Sequence, residues 1–488
     1  MNVNVIGGVT PAVYRAHREP RVFDGPDLPA DPDVLAQLVA QTQAADLAAP
    51  PVVLPDFHHK SNMELPSSVA VATTHTIRPT LTSASVNCGM ALIALDSDRP
   101  NETGIVEFYR RMRERYPYPA SNMRELSVKE VRRTAEEGAL FAAERYSVEA
   151  EELTRIEEGG RIDLEPYGGA ARLTKELPTL ALQLARLRFG TVGPSNHFIE
   201  LQVVEEVFDR EAAAALGVRE GQLTLQFHAG GGVLTGEIGA LFGRRKHNPR
   251  HIRMAMAIEK PLYHLATARS MKQFKQRMAL YFAASCPSIA RDSDEGQRLL
   301  LANAAAMNYG FAFRVATYAA LKKIAADVFG GTGGRLVVDS PHNSIYEEPL
   351  ARTDGTDDTA IVHRHNSCRA FPAEMCAPNT VFRQTGQAVL LPGTSRTSSY
   401  LAVAGPKAAD SLYSACHGAG TLVADFVERG ASHLHAGGHS TLRFRYDDAA
   451  PERTMHFDDN GVNAALDVLA GSGLVKPVAR MRPFAVLN

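Results

Sequence analysis

Cysteine is scarce in this 488-residue chain: there are five, at positions 88, 286, 368, 376 and 416. They are too widely spaced, and odd in number, to form a disulfide framework. A reducing compartment is expected, with any special cysteine serving as a thiolate or a ligand. Charge of one sign is also missing. With 52 Lys+Arg against 54 Asp+Glu the net charge is −2, which excludes a generally basic surface that would hold nucleic acid by charge alone. No stretch approaches the roughly 20 consecutive apolar residues needed to span a bilayer. The opening MNVNVIGG lacks the basic and apolar regions of a secretory signal, so a cytoplasmic protein without a membrane partner is expected. Internal repeats, low-complexity tracts and obvious linkers are absent too, which argues for one intertwined domain.

What is present describes an ordinary globular chain, 45% apolar and 22% charged, long enough for a sizeable core. At roughly 150 residues per domain the length allows three domains or one elaborated α/β unit. Residues 1–50, rich in Pro, Ala and Asp, read as a helix-containing lead-in packed on a main domain at 51–488. Ser127 and Glu130 form a capping box for a helix over 127–146. Alternating strands are expected at His197–Val203 and Leu223–Phe227, the latter ending at His228. The longest helix is expected over 295–328, capped by Asp294 with Gln297 and closed by Gly330-Gly331. Leu336-Val337-Val338 reads as a buried strand leading to Asp339-Ser340-Pro341-His342-Asn343. Beyond it, short strands alternate with Gly-rich turns.

Several polar residues fall at strand ends beside glycines, where α/β folds expose chemistry: Cys88, His197, His228, His342 and His417. One thiolate with several imidazoles is a borderline-soft ligand set, better suited to Mn, Zn, Fe or Co than to Mg or Ca. Taken singly, each histidine reads more readily as a satisfied core or turn residue, and the long separations support no local metal motif.

An ordered series of motifs resembles the RtcB family of RNA-splicing ligases. It comprises PDFHH (55–59), VNCGMAL (86–92), FGTVGPSNHFIELQ (189–202), FHAGGG (227–232) and EGQRLLLANAAAMNYGFAFR (295–314). It continues with DSPHN (339–343), VHRHNSCRAFP (362–372), GQAVLLPGT (386–394), CHGAG (416–420) and VARMRPFAV (478–486). The resemblance covers about residues 50–488. It implies a single large RtcB-like domain of the α/β (α+β) class, with a central β-sheet core surrounded by helices. The activity it implies is GTP- and Mn²⁺-dependent joining of an RNA 3′-phosphate or 2′,3′-cyclic phosphate end to a 5′-hydroxyl end, in tRNA splicing or RNA repair. A covalent histidine–GMP intermediate lies on that route.

By the same resemblance, His417 is the catalytic nucleophile, and Cys88, His197, His228 and His342 hold one or two Mn²⁺ ions. Asn196, Glu200, His342, Asn343, Thr394, Ser399 and the run His417-Gly418-Ala419-Gly420 match nucleotide-contacting positions. Arg364 and Arg369 match a basic segment that could grip phosphate bidentately. The implied partners are RNA and an archease-like activator, with the chain working as a monomer.

The departures from the family pattern fall in the site. Ser85 stands where a carboxylate ligand is usual, so a second ion is expected to bind more weakly. Lys60-Ser61-Asn62-Met63-Glu64 replaces a Gly-Tyr-Gly segment. Ala229-Gly230-Gly231-Gly232 lacks a phosphate-binding Arg, Thr421 replaces another Arg, Asn488 replaces a guanylate-contacting Lys, and His365 stands where a Lys is usual. Arg396 could supply a new cation, as could His365. These changes leave open a divergent paralogue acting as a nucleotidyltransferase or metal phosphoesterase on another substrate, or a non-catalytic RNA-end binder. Outside the motifs, the run from Arg244 to Arg253 is the densest basic segment and a candidate RNA track, equally readable as a solvated loop. His433-Leu434-His435-Ala436-Gly437-Gly438-His439 could bind a further metal.

Overall fold

The computed structural model describes residues 18–60, 63–98, 100–117, 125–177, 179–187, 189–193, 197–243, 250–282, 287–351, 357–447 and 450–488. Its spine is a sheet built from β1 (Gly89–Ala94), β2 (Phe198–Val207), β3 (Leu223–Ala229), β4 (Arg335–Pro341), β5 (Ala388–Leu391), β6 (Ser399–Ala404) and β7 (Val475–Leu487). The spatial order is β5-β6-β7-β2-β3-β1-β4, every neighbour antiparallel. Two further strands, Ser440–Phe444 and Glu452–Met455, extend from β7. Period-2 patterning explains β3: Leu223, Leu225 and Phe227 enter the largest apolar cluster. Its other face carries Thr224 and Gln226, which hydrogen-bond to Gln202 of β2 at 3.2 and 3.1 Å, so the buried polar atoms of this face find partners within the sheet.

Helix α1 (Asp294–Phe329, 36 residues) runs through the core, and 24 of its residues are buried. Its cap is Ser293, whose Oγ accepts from Gly296 N–H at 3.0 Å, one residue before the expected Asp294. Gln297 does not complete a capping box; its amide donates to the Arg291 carbonyl instead. The capping box at Ser127 and Glu130 is present, but the expected single helix is two, 128–137 and 139–146. Gly138 breaks it with φ +59°, and a Cβ there would lie 2.3 Å from the Gly160 carbonyl oxygen.

A second, five-stranded sheet has the order Arg21–Val22, Val52–Val53, Val69–Thr73, Asp357–His365, Asn343–Ala351. The chain passes from β4 to this second sheet with one residue between, His342. A small pair, Ser367–Arg369 with Ser414–Cys416, sits alongside. Within the lead-in, a helix at Pro32–Thr42 begins on an Asp31 cap that accepts from Asp33 N–H at 2.8 Å. The architecture is the α/β arrangement expected, β-sheets surrounded by helices, with the junction of the two sheets as its distinctive place.

Candidate metal and nucleotide site

Four chain segments meet at that junction. Cys88 lies immediately before β1, on a turn in which Asn87 has φ +58°, the left-handed conformation that Asn tolerates better than most residues. The turn is pinned from three sides. Asn87 N–H donates to the Asn343 carbonyl at 2.9 Å, Cys88 N–H to the Ser85 carbonyl at 3.2 Å, and the Arg314 guanidinium to the Asn87 carbonyl. Arg314, fully buried in α1, also pairs with Asp339 of β4, Nε to Oδ1 at 2.7 Å. His342 N–H donates to the Cys88 carbonyl at 2.9 Å, and Ser367 N–H to the His342 carbonyl at 3.0 Å. His228, the penultimate residue of β3, is in register with Met90 of β1 and with Phe198, the residue after His197. His417 follows the Ser414–Cys416 strand.

The side chains converge. Cys88 Sγ lies 3.2 Å from His228 Nε2 and 3.7 Å from His197 Nε2. Ring centroids of His228 are 5.0 Å from both His197 and His342, and those of His342 and His417 are 4.5 Å apart. The donor atoms of Cys88, His228 and His342 all lie within 4.8 Å of one another, with all three residues buried. One thiol and two imidazoles at that spacing fit a transition-metal ion. So does the buried Nδ1 of His342, which has no hydrogen-bond partner among the described residues. Ser85, standing where a carboxylate is usual, keeps its side chain on the Cys88 thiol.

The electrostatics follow from burial. Burial pushes the Cys88 thiol up to about 11, against the opposing pull of Arg314. It pushes His417 down to about 3, helped by the charge of Lys60, and holds His342 well below the ordinary imidazole range. His417 is therefore neutral at physiological pH and keeps a lone pair, and its Nδ1 has no hydrogen-bond partner among the described residues.

Beside His197 opens a cavity of about 180 Å³ lined by Phe198, Glu200, Thr394, Ser395 and Asn488 among others. Burial raises the Glu200 carboxyl to about 8, although Gln202 donates to it at 2.7 Å. Thr394 lies on a turn closed by its N–H to Thr397 Oγ1 at 2.8 Å. Ser399 serves the same loop as an acceptor for Gly393 N–H at 3.3 Å. Asn488 Oδ1 accepts from Arg443 Nε at 2.9 Å. The Gly418-Ala419-Gly420 run packs on the 392–394 turn through Ala419 N–H to the Pro392 carbonyl, and leads into α2 (Gly420–Glu428). The side chain of Asn343 is occupied structurally, accepting from Asn366 N–H and donating to the Ser85 carbonyl. Asn196 lies outside the described residues.

Other expectations need correction. Arg364 is fully buried and bidentate on Glu348 at 2.7 and 2.7 Å, and Arg369 is ringed by Glu157, Glu158 and Glu348. Both cations are neutralised in the core, so neither is offered to a phosphate. Arg396 stacks on Phe457 and donates to the Met455 carbonyl. Residues 244–249 of the basic run lie outside the described residues; Arg250–Arg253 open a helix over Arg250–Ala266. Around the 433–439 histidines the structure brings His435 and His439 rings to 4.7 Å, yet the metal-compatible group among the described residues remains Cys88, His228 and His342. Two further groups stand beside the nucleophile's turn. Asp56, with φ +63°, accepts from Leu422 N–H at 3.1 Å and is raised by burial to about 7. Lys60 acts electrostatically on His417. Only their neighbourhood, unreadable from spacing, marks them.

Comparison with known proteins bears on this geometry. The family model described as tRNA-splicing ligase RtcB matches residues 37–488. A tRNA-splicing ligase RtcB of Pyrococcus horikoshii is 30% identical over 366 residues, covering 72% of this chain and 38% of the relative. An RNA-splicing ligase RtcB of Mycobacterium tuberculosis is 28% identical over 371 residues, 72% of this chain and 74% of the relative. A tRNA-splicing ligase RtcB of Thermococcus kodakarensis is 26% identical over 471 residues, 91% of this chain and 90% of the relative. The chain thus spans less than two fifths of the Pyrococcus horikoshii relative but most of the Thermococcus one.

Proposed function

The chain belongs to the RtcB family, and from that premise we propose that it is a GTP- and Mn²⁺-dependent RNA ligase, joining 3′-phosphate or 2′,3′-cyclic phosphate ends to 5′-hydroxyl ends. The observation that carries the reading is the contiguity of a neutral imidazole, His417, with the Cys88, His228 and His342 donor set at 4.5 Å between ring centroids. Cys88, His228 and His342, with His197 beside them, would hold the ion. When bound it supplies Lewis-acid polarisation of a phosphate, and with Ser85 in place of a carboxylate one ion is the simpler occupancy.

The residues then divide the work. An imidazole nitrogen of His417 uses its lone pair to form a bond to the α-phosphorus of GTP, while the α,β-bridging P–O bond breaks and diphosphate leaves with that electron pair. The low proton affinity of the buried ring keeps the lone pair available. The cavity beside His197 is the place for the nucleoside, with Glu200, Thr394 and Asn488 on its walls. At a 2′,3′-cyclic end water first opens the ring to a 3′-phosphate. An oxygen of that 3′-phosphate then attacks the phosphorus of the histidine-bound GMP, breaking the N–P bond and freeing His417. The 5′-hydroxyl attacks the 3′-phosphate phosphorus, releasing GMP and a proton.

A cytoplasmic location belongs to the same reading and rests on the few, widely spaced cysteines of the sequence. An archease-like activator and a monomeric working state rest on family membership alone. One observation favours a second reading, transfer of a different nucleotide: the residue on the cavity wall at 488 is an uncharged Asn, its side-chain oxygen accepting from Arg443. Incubation of the protein with GTP, MnCl₂ and an RNA broken into 3′-phosphate and 5′-hydroxyl halves tests the first reading. Joined RNA is expected, and its absence with every such RNA would sink it. ATP-supported joining would favour the second.

A further inference from the structure

Lys60 has no assigned part in the site as described so far, although its charge acts at the centre of it. Among the charges acting on His417, that of Lys60 is the largest, and it is also felt at Cys88, His342 and Asp56. The segment carrying it is fastened to the turn behind the nucleophile. Asp56 accepts from Leu422 N–H at 3.1 Å, His58 Nε2 lies 3.4 Å from Thr421 Oγ1, and the Lys60 carbonyl accepts from Met63 N–H at 3.1 Å. The side chain is half-buried, and among the described residues its ammonium makes no hydrogen bond and no ion pair. The other cation felt at Cys88 and His342, Arg314, is fully buried and committed to Asp339 and the Asn87 carbonyl. A half-buried cation whose charge is felt at the nucleophile and at the imidazole–thiol cluster, with the Asp56 carboxyl acting on it, is placed to be favoured by an arriving anion.

We propose that Lys60 is the phosphate-gripping residue of this site, its ammonium donating to the non-bridging oxygens of a nucleotide polyphosphate at His417. This rests on the reading of His417 as the site of nucleotidyl transfer, and it adds the group that neutralises the phosphates. Burial holds the Lys60 ammonium below its ordinary range, and an incoming polyphosphate favours its charged form. An ammonium is a compact point charge with three donors, suited to a phosphate cluster whose oxygens change position as diphosphate departs.

The test is calorimetric titration of the full chain, with MnCl₂ present, against GTP, inorganic diphosphate and guanosine, repeated for Lys60→Ala and Lys60→Arg. Loss of charge-assisted hydrogen bonds predicts that Lys60→Ala weakens GTP and diphosphate by about tenfold to a hundredfold. Guanosine affinity and melting temperature stay at the wild-type values, and Lys60→Arg recovers most of the loss. Equal affinity of Lys60→Ala for diphosphate would overturn the proposal. So would a parallel loss for guanosine, the signature of a merely structural residue, or failure of the wild type to bind diphosphate. Labelling of wild-type His417 by GTP is scored separately. If diphosphate binding depends on Lys60 but no label forms, the transfer reading fails and the phosphate contact stands.

Discussion

Replacing Arg314 by Met removes the cation that joins helix α1 to the cysteine turn. Arg314 and Asp339 are fully or almost fully buried, with Nε–Oδ1 at 2.7 Å and a second nitrogen at 2.6 Å from the same oxygen. Deleting one partner of such a pair leaves an uncompensated buried charge, which costs roughly 3–5 kcal/mol. That is a large part of the 5–15 kcal/mol typical of a folded domain, as an order of magnitude. The Asn87 carbonyl loses a donor in the same step, so the turn that aims Cys88 loosens. Burial already raises the Asp339 carboxyl and Arg314 opposes it, so in the variant the carboxyl rises further. A raised carboxyl contributes stability at acid pH that is lost as pH climbs through its folded value, so the deficit of Arg314→Met grows from acid to neutral pH. The chain has no tryptophan, and urea unfolding is best followed by far-UV circular dichroism. Arg314→Met/Asp339→Leu, which removes both charges, is expected to recover most of the loss. A single variant within about 1 kcal/mol of wild type, against the several expected for a broken buried pair, would refute the reasoning.

Three other outcomes are expected. Glu200→Gln flattens the pH dependence of stability. The buried carboxyl titrates near 8 rather than 4.5, so wild-type stability should fall with pH across that window by up to roughly 1.4 kcal/mol per unit, a slope that denaturation at several pH values should find missing in the variant. Cys88→Ala should abolish thiolate-to-metal charge transfer when Co²⁺ is added, while circular dichroism stays at wild type; retention of the band would remove Cys88 from the ligand set. Gly310→Ala puts a Cβ 2.7 Å from Asn87 Cβ inside a packed core, so it should lower both the melting temperature and Co²⁺ affinity, and a silent substitution would contradict the packing described.

Period-2 patterning places Cys88, His197, His228 and His342 beside strand ends, but their grouping as ligands came from the family resemblance alone. The junction that unites them was not legible, since it depends on β4 handing over to the second sheet at a single residue, His342. Arg364 and Arg369 show why charge in a motif misleads: their partners, Glu348 and Glu157–Glu158, come from a neighbouring strand and from a turn some 200 residues away. The helix over 127–146 was read as continuous because its apolar spacing carries through Gly138, whereas the close approach of Gly160 that requires the break is a tertiary fact. Lys60 and Asp56 escaped a role for the same reason, their meaning lying in the turn at Thr421 and Leu422 to which they are fastened.

Covalent carriage of the nucleotide by His417 is the step on which the proposed ligation depends. The direct measurement is mass spectrometry of the intact protein after exposure to GTP and MnCl₂, with His417→Ala alongside. Addition of one GMP to the wild type, mapped to His417 and absent from the variant, is the predicted result. No adduct on the wild type, or an adduct that persists in His417→Ala, would contradict it.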